Sequence, residues 1–329
     1  MEIIIQEARD PNKSEQRATN LINALKFKKQ ITVFIDVCSI CNLKCNFCDV
    51  HSGRFKNMEK EKGMMDEKLY YKIINDLSEL GYKLKALYFH GWGEPLLQKK
   101  LPEMIHHAYE KGVAEEYRLI TNGTLMNKDI FEKLLVSGLD EIRISMDTIY
   151  PEYYHKVKGR DLINTLLENV DYAISRVASQ NKLKLYIKIP GTDSVSNHYG
   201  LADNNVQFVI NRFKDINNPN VKIMLLPLVI MTGNEHQNYN PCELAFCQAL
   251  IKYDGRVSVC CADVYDRLNI GNITQQSMIE ILNGEKLRKI RMCHAEDKVE
   301  KISACVYCGA RPLLDIRPYA EQIKKILKV

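Results

Sequence analysis

Cys41-Asn42-Leu43-Lys44-Cys45-Asn46-Phe47-Cys48 spaces three cysteines as C-x3-C-x2-C. The stretch follows a β-rich run, Ile31 to Val37, and opens a loop rather than a helix. Thiolates this close in sequence can converge on one soft-metal centre. Three ligands are one short of the four that a closed zinc or iron–sulfur site takes. A [4Fe–4S] cluster held here would leave one iron with an open position, and open positions are where metals do chemistry. A zinc half-site is the alternative, and it needs one or two further ligands, of which His51 is a candidate.

The rest of the chain sets the context for these thiols. With 329 residues it can hold one large domain and a smaller one, and bury a substantial core. A hydrophobic fraction of 46% and a charged fraction of 26% are those of an ordinary globular protein. The net charge of +5 is mild, and the lysine-rich patches (Lys26 to Lys29, Lys56 to Lys62, Lys324 to Lys328) read as solvated faces, not as a nucleic-acid stripe. The first residues, Met1 to Glu7, lack the basic and apolar regions of a signal peptide. The longest apolar run, Ile223 to Met231, is too short to span a membrane and contains Pro227, so it reads as a buried strand. These features predict a cytoplasmic protein with no nucleic-acid or membrane partner. In that reducing compartment, eleven cysteines argue for metal ligation or catalysis rather than disulfides.

From Ile31 to Ile230, β-branched runs alternate with amphipathic segments. Strands are expected at Ile31–Val37, Leu84–His90, Tyr117–Ile120, Glu141–Ser145, Leu183–Ile189 and Val221–Leu226. Helices are expected at Asp66–Leu80, Leu101–Lys111 and Asn127–Ser137, each closed by a glycine, and at Leu162–Ser179 and Val206–Lys214. Such alternation predicts parallel strands with right-handed crossovers, and reactive groups at the strands' C-terminal ends. The three cysteines follow the first strand. Residues 1–30 read as a helical lead-in, and Thr232 to Pro241 as a polar linker. Beyond it lie seven cysteines between Cys242 and Cys308, short strands, one helix over Ser277–Ile290, and a terminal helix in 316–329.

The strand tips carry a second pattern. The second strand ends in His90-Gly91-Trp92-Gly93-Glu94-Pro95, the third in Thr121-Asn122-Gly123-Thr124 and the fourth in Ile144-Ser145-Met146-Asp147. With the three cysteines, these resemble the signature of the radical S-adenosylmethionine (SAM) enzymes. The resemblance implies that Cys41, Cys45 and Cys48 hold a [4Fe–4S] cluster whose open iron binds SAM, and that SAM is cleaved reductively to a 5′-deoxyadenosyl radical. It further implies that Gly91, Gly93 and Glu94, in the position of the family's GGEP motif, hold the SAM amino group. Asn122 and Ser145 would contact SAM, and Phe47 would lie beside the adenine. Many relatives carry Arg-Gly after the fourth strand to pair with the SAM carboxylate. Here Lys158-Gly159 stands in that place, so Lys158 or Arg160 takes the role, or the run is a solvated basic loop. Lysine supplies the charge without the bidentate fork.

The later cysteines form a second candidate set. Asp254-Gly255-Arg256-Val257 reads as a hairpin turn that brings Cys242 and Cys260 together, and Cys305-Val306-Tyr307-Cys308 is a tight clamp. A zinc ribbon fits this spacing as well. The context Cys260-Cys261-Ala262-Asp263 resembles the SPASM/twitch extension of radical SAM enzymes, in the shorter twitch form. That implies a second, auxiliary [4Fe–4S] cluster on Cys242, Cys260, Cys305 and Cys308. Cys261 can replace Cys260 as a ligand, and Cys247, Cys261 or Cys293 can donate a hydrogen atom near substrate. His198 and His236, near the ends of the fifth and sixth strands, can reach substrate.

The resemblance implies an α/β fold: a partial (β/α)6 TIM-like barrel over residues 31–231, with a small C-terminal twitch (SPASM-like) iron–sulfur domain over 232–315. The implied activity is a radical SAM oxidoreductase that removes a hydrogen atom from a small molecule. A sugar or aminocyclitol alcohol would become a ketone, with the auxiliary cluster as electron acceptor. Such an enzyme takes its electrons from an external flavodoxin- or ferredoxin-like reductant. Two alternatives are radical modification of a peptide, by epimerisation or crosslinking, and a zinc-stabilised binding module without enzymatic activity. The peptide reading is weakened by the lack of room for a peptide-recognition domain before Ile31.

Overall fold

The structure is a computed structural model, and it describes all residues except 6–13, 27–31, 53–61, 178–181, 191–200, 202–203, 227–238, 264, 307, 309–313 and 329. The first large unit alternates strand and helix: β2 (Thr32–Ile35), α2 (Glu67–Ser78), β3 (Leu84–Phe89), α3 (Leu101–Glu110), β4 (Ala114–Thr121), α4 (Lys128–Leu135) and β5 (Glu141–Ser145). It continues through α5 (Pro151–Lys158), α6 (Ile163–Val177), β6 (Lys184–Pro190), α7 (Asn205–Phe213) and β7 (Val221–Leu226). Neighbours from β2 to β7 pair in sequence order, all parallel. This is the expected partial barrel.

Period-two alternation decides which face does what. Val33, Ile35, Leu87, Phe89, Leu119, Ile142, Ile144, Leu185 and Ile187 are fully buried against the helices. Their alternates, Phe34, Tyr88, Arg118, Arg143, Tyr186 and Lys188, occupy the inner face. Each helix presents a matching apolar stripe. In α2 it is Tyr70, Ile73, Ile74 and Leu77, spaced at i, i+3, i+4 and i+7, and the Asp66 carboxylate caps the helix by accepting from the Lys68 and Leu69 N–H groups.

Four features depart from the sequence expectation. Residues 2–5 form a strand, β1 (Glu2–Ile5), not the start of a helical lead-in; it pairs parallel with β7, and α1 (Ser14–Lys26) follows. Three consecutive isoleucines suit a pleated edge better than a helix. The basic run at 155–158 is the last turn of α5, started by Pro151 and ended by Gly159 at φ +71°.

Beyond the linker, β8 (Gln248–Ile251) pairs parallel with β2, so the cysteine-rich segment extends the barrel's own sheet. The expected hairpin follows as β9 (Arg256–Ser258), antiparallel to β8, and β10 (Asn269–Asn272) completes the order β1-β7-β6-β5-β4-β3-β2-β8-β9-β10. The helix expected at Ser277–Ile290 is two helices, α9 (Met278–Leu282) and α10 (Glu285–Ala295), with a short α8 (Leu244–Cys247) before them. Extended backbone at Gly284 breaks the run. The chain closes with α11 (Ser303–Val306) and α12 (Ala320–Leu327), which packs on α1 and α10.

Candidate functional site

The loop carrying Cys41, Cys45 and Cys48 is fixed by backbone groups from the end of α5 and the turn after β3, and by side chains at the tip of β4. At the C-terminus of α5, the carbonyls of Lys158 and Val157 lack intrahelical partners, and the N–H groups of Lys44 (3.0 Å) and Asn46 (2.8 Å) donate to them. On the other side the Glu94 N–H donates to the Ile40 carbonyl at 2.8 Å. Gly93 is required here, because a Cβ would lie 2.3 Å from the carbonyl oxygens of both Cys38 and Ile40. Gly91 is equally confined, with the Asp36 side chain 2.2 Å from the position of its missing Cβ.

Asn42, between the first two cysteines, completes the attachment. Its amide donates to Thr124 Oγ1 (2.9 Å), and its carbonyl accepts from the Asn122 amide (2.8 Å). Asn122 therefore holds the cysteine loop. Glu94 is buried, and its carboxylate accepts from Thr121 Oγ1 (2.6 Å), the Asn122 N–H (2.7 Å) and the Leu96 N–H (3.0 Å). It staples β3 to β4 and holds the turn whose backbone faces the loop.

Lys158 is 2% exposed, not on a solvated loop. Burial works to lower its pKa, but the Asp147 carboxylate beside it holds the ammonium above its ordinary value. The ammonium also donates to the Ser145 carbonyl at 3.1 Å and lies 5.6 Å from the Phe47 ring centroid. Asp147 adopts φ +63°, uncommon outside glycine, and Asn205 secures its carbonyl at 2.8 Å. Lys158 thus ties the tip of β5 to the end of α5 beside the Phe47 ring, while Lys156 and Arg160 of that run are exposed. Ser145 is half-buried on the inner face.

The second cysteine set sits across β2 from the first. Gln248, the register partner of Thr32 at the start of β2, donates to the sulfurs of Cys260 (3.5 Å) and Cys261 (3.9 Å). Burial raises the pKa of Cys242 and Cys305; Glu243, Cys260 and Cys305 add to the rise at Cys242, and Cys260 and Cys308 to the rise at Cys305, so these thiols are neighbours. Buried His294 holds two of them: Nδ1 accepts from the Cys242 N–H at 3.2 Å, and Nε2 is 3.6 Å from Cys305 Sγ.

Trp92 connects the two sets. Its carbonyl meets His51 Nε2 at 2.9 Å, just past Cys48, and its indole N–H donates to the Cys261 carbonyl at 3.4 Å. The Lys252 ammonium lies over its ring at 4.1 Å. His51 is thereby engaged by the Trp92 carbonyl. His198 and His236 lie outside the described residues.

Both sets suit iron–sulfur clusters. Their donors are thiols, and backbone N–H groups already point at sulfur: Leu43 at Cys41 Sγ and Ala262 at Cys260 Sγ, each at 3.4 Å. Burial pushes the Cys41 thiol up to about 12, with Glu94, Cys45 and Cys48 adding to the rise, so binding there would be coupled to proton release. Among the described residues no three His, Cys, Asp or Glu side chains are arranged to hold a single metal ion. Cluster ligands bind separate iron atoms and have no need to converge on one point.

Residues 35–191 match the model of the radical SAM superfamily, and residues 242–309 match that of the SPASM iron–sulfur cluster-binding domain. The chain carries a radical SAM domain followed by a SPASM domain. These two domains imply [4Fe–4S] clusters and SAM binding. The radical SAM chain is 33% identical over 118 residues to the tungsten-containing aldehyde ferredoxin oxidoreductase cofactor-modifying protein of Pyrococcus furiosus, covering 36% of this chain and 31% of the relative. It is 33% identical over 150 residues to a probable GTP 3′,8-cyclase of Methanococcus maripaludis, covering 45% and 48%. It therefore spans half or less of these relatives. The fold is similar to the crystal structure of BtrN in complex with AdoMet and 2-DOIA, with a TM-score of 0.58 at 19% identity, covering 85% of this chain and 93% of BtrN. No helix among the described residues is long and apolar enough to cross a membrane.

Proposed function

We propose that this radical SAM enzyme oxidises an alcohol carbon of a small molecule to a carbonyl. Cys41, Cys45 and Cys48 would hold the cluster that binds SAM. Cys242, Cys260, Cys305 and Cys308 would hold the auxiliary cluster, with Cys261 the substitute for Cys260. When bound, these groups supply the hydrogen-abstracting radical and an acceptor for the electron that the substrate carbon gives up. The observation that supports the reading is the pairing of β8 on β2, which brings both cysteine groups to one strand, the first past its C-terminal end and the second beside its start, with Trp92 reaching towards both. Four thiolates leave the auxiliary set closed, which suits electron transfer better than substrate binding.

The chain's own residues orient SAM. The Gly91–Gly93 turn, held down by Glu94, offers backbone to the amino group, Phe47 offers a ring face to the adenine, and Ser145 offers a hydroxyl. Asn122, Glu94 and Lys158 act through the loop and strand tips they fix. A flavodoxin- or ferredoxin-like protein would supply the electrons.

Anaerobic reconstitution with iron, sulfide and SAM-cleavage assays tests this. About eight irons per chain are expected, and a Cys41/Cys45/Cys48→Ala variant should keep about four and lose SAM cleavage. A Cys242/Cys305/Cys308→Ala variant should also keep about four irons but retain cleavage. A colourless zinc protein indifferent to SAM would overturn the reading. Stalled or crosslinked peptide products from Cys247→Ala, Cys261→Ala or Cys293→Ala would favour peptide modification over alcohol oxidation.

A further inference from the structure

Across the inner face of the barrel, charge is matched strand by strand. Arg118 on β4 pairs with Glu116 and approaches Glu141 at 3.7 Å, and Arg143 on β5 pairs with Glu141. Lys222 on β7 meets Glu2 of β1 at 2.7 Å, and near the mouth Lys158 pairs with Asp147 and Lys252 with Asp266. Lys188 on β6 is different. Its carbonyl accepts from the Met146 and Asp147 N–H groups at 3.2 Å, but among the described residues its ammonium has no hydrogen bond and no ion pair, and Asp147, the carboxylate that acts on it, already belongs to Lys158.

Lys188 lies between Ser145 and Met224 in register, in the C-terminal row of the inner face that also holds the strand tips facing the cysteine loop. His90, at the end of β3, opens on the same face. Its Nδ1 is out of water and without a hydrogen-bond partner. Burial, with Lys188 and then Arg143 as neighbouring cations, lowers His90 to about 3, so the ring is neutral and carries one N–H to donate.

An ammonium half-withdrawn from water without a counter-charge is costly, and so is a buried imidazole nitrogen without a partner. Both groups face the same inner surface, on β6 and just past β3, and an anionic oxygen group that reaches across that surface removes both deficits, taking a charged N–H from Lys188 and a neutral N–H from His90. We propose that Lys188 and His90 anchor an anionic oxygen group of the substrate, a carboxylate or a phosphate, at the C-terminal mouth of the barrel. This rests on the radical SAM reading and narrows it. An unacidified aminocyclitol would bring its own ammonium groups against Lys188, so the substrate class shifts to sugar acids, sugar phosphates and similar anions.

The test uses full-length protein, anaerobically reconstituted, with SAM present. Inorganic phosphate and acetate are titrated separately, and binding is followed by nuclear magnetic resonance line broadening and saturation transfer. One of the two should bind, and Lys188→Gln should weaken it about tenfold, the loss of one charge-assisted hydrogen bond. Lys188→Arg should keep most of the affinity, and His90→Asn, with Lys188 intact, should give a smaller loss. Tighter phosphate identifies a phosphate anchor, and tighter acetate a carboxylate anchor. Equal probe binding by wild type and Lys188→Gln, with normal iron content, overturns the anchor while leaving the radical reading standing. Weaker SAM binding in Lys188→Gln with unchanged probe binding also overturns it, by assigning Lys188 to SAM. Failure of the radical reading appears separately, in the iron count of the wild type.

Discussion

Both carboxylate oxygens of Glu94 are taken by protein donors, and the adjacent Gly93 has two backbone carbonyls where a side chain would be. At these residues, function depends on the absence of atoms as much as on their presence. A methyl group at position 93 has to push the Cys38–Ile40 backbone away, and Cys41 moves with it. Gly93→Ala is therefore expected to lose about four of about eight irons on reconstitution while keeping the auxiliary set, as read by iron analysis and by electron paramagnetic resonance of the remaining cluster. The sequence located the glycines and the three cysteines directly, because a fixed spacing is legible without any fold. It did not reveal Asn42, Thr124 or His294 as supports, since an Asn in a loop and a His in a helix are ordinary residues until the fold brings partners to them. Lys158 shows the opposite problem. Its charge suggested a ligand contact, and only the fold shows that it is buried and paired with Asp147.

At the level of elements, the parallel strands and their helices were legible because apolar spacing alone distinguishes them. The stripe on α2 is an example, and its energetic weight can be measured. Ile74 is fully buried, so Ile74→Ala is expected to cost about 2–5 kcal/mol in urea unfolding, with no change in the site's ligands. Other elements were not legible. The isoleucines of β1 become a strand because β7 offers an open edge, and the α9–α10 break turns on the backbone conformation of Gly284. The last turn of α5 looked like a basic loop because its defining contacts come from elsewhere: the cysteine loop caps its carbonyls, and its lysine is buried under β5.

For the whole molecule, Asp36 marks where the parts meet. It ends β2, accepts from the Trp92 N–H at 3.2 Å, and sits beside Lys252 at the end of β8, with its second oxygen buried and unpartnered. Burial raises its pKa to about 7, against the Trp92 hydrogen bond and Lys252, which lower it. The folded protein therefore holds a proton that the unfolded chain releases near pH 4. The resulting stabilisation is complete below about pH 4 and is lost as pH rises towards about 7, by up to about 1.4 kcal/mol per pH unit. Asp36→Asn keeps the acceptor and removes the ionisation. It should be more stable than the wild type at pH 8 and no more stable at pH 4, by urea unfolding at both values. Equal stability at pH 8 would show that Asp36 ionises freely in the folded protein.

The sequence by itself determined the alternating α/β plan, the three-cysteine loop at the first strand tip and a second cysteine-rich segment, because spacing and periodicity are local properties of the chain. Tertiary structure decided that the second segment joins the same sheet as the first, that Glu94, Asn122 and Lys158 hydrogen-bond to the strand tips and the cysteine loop, and that among the described residues the Lys188 ammonium has no partner. Those outcomes depend on which groups meet across strands far apart in sequence, and on how much water each group loses when they do.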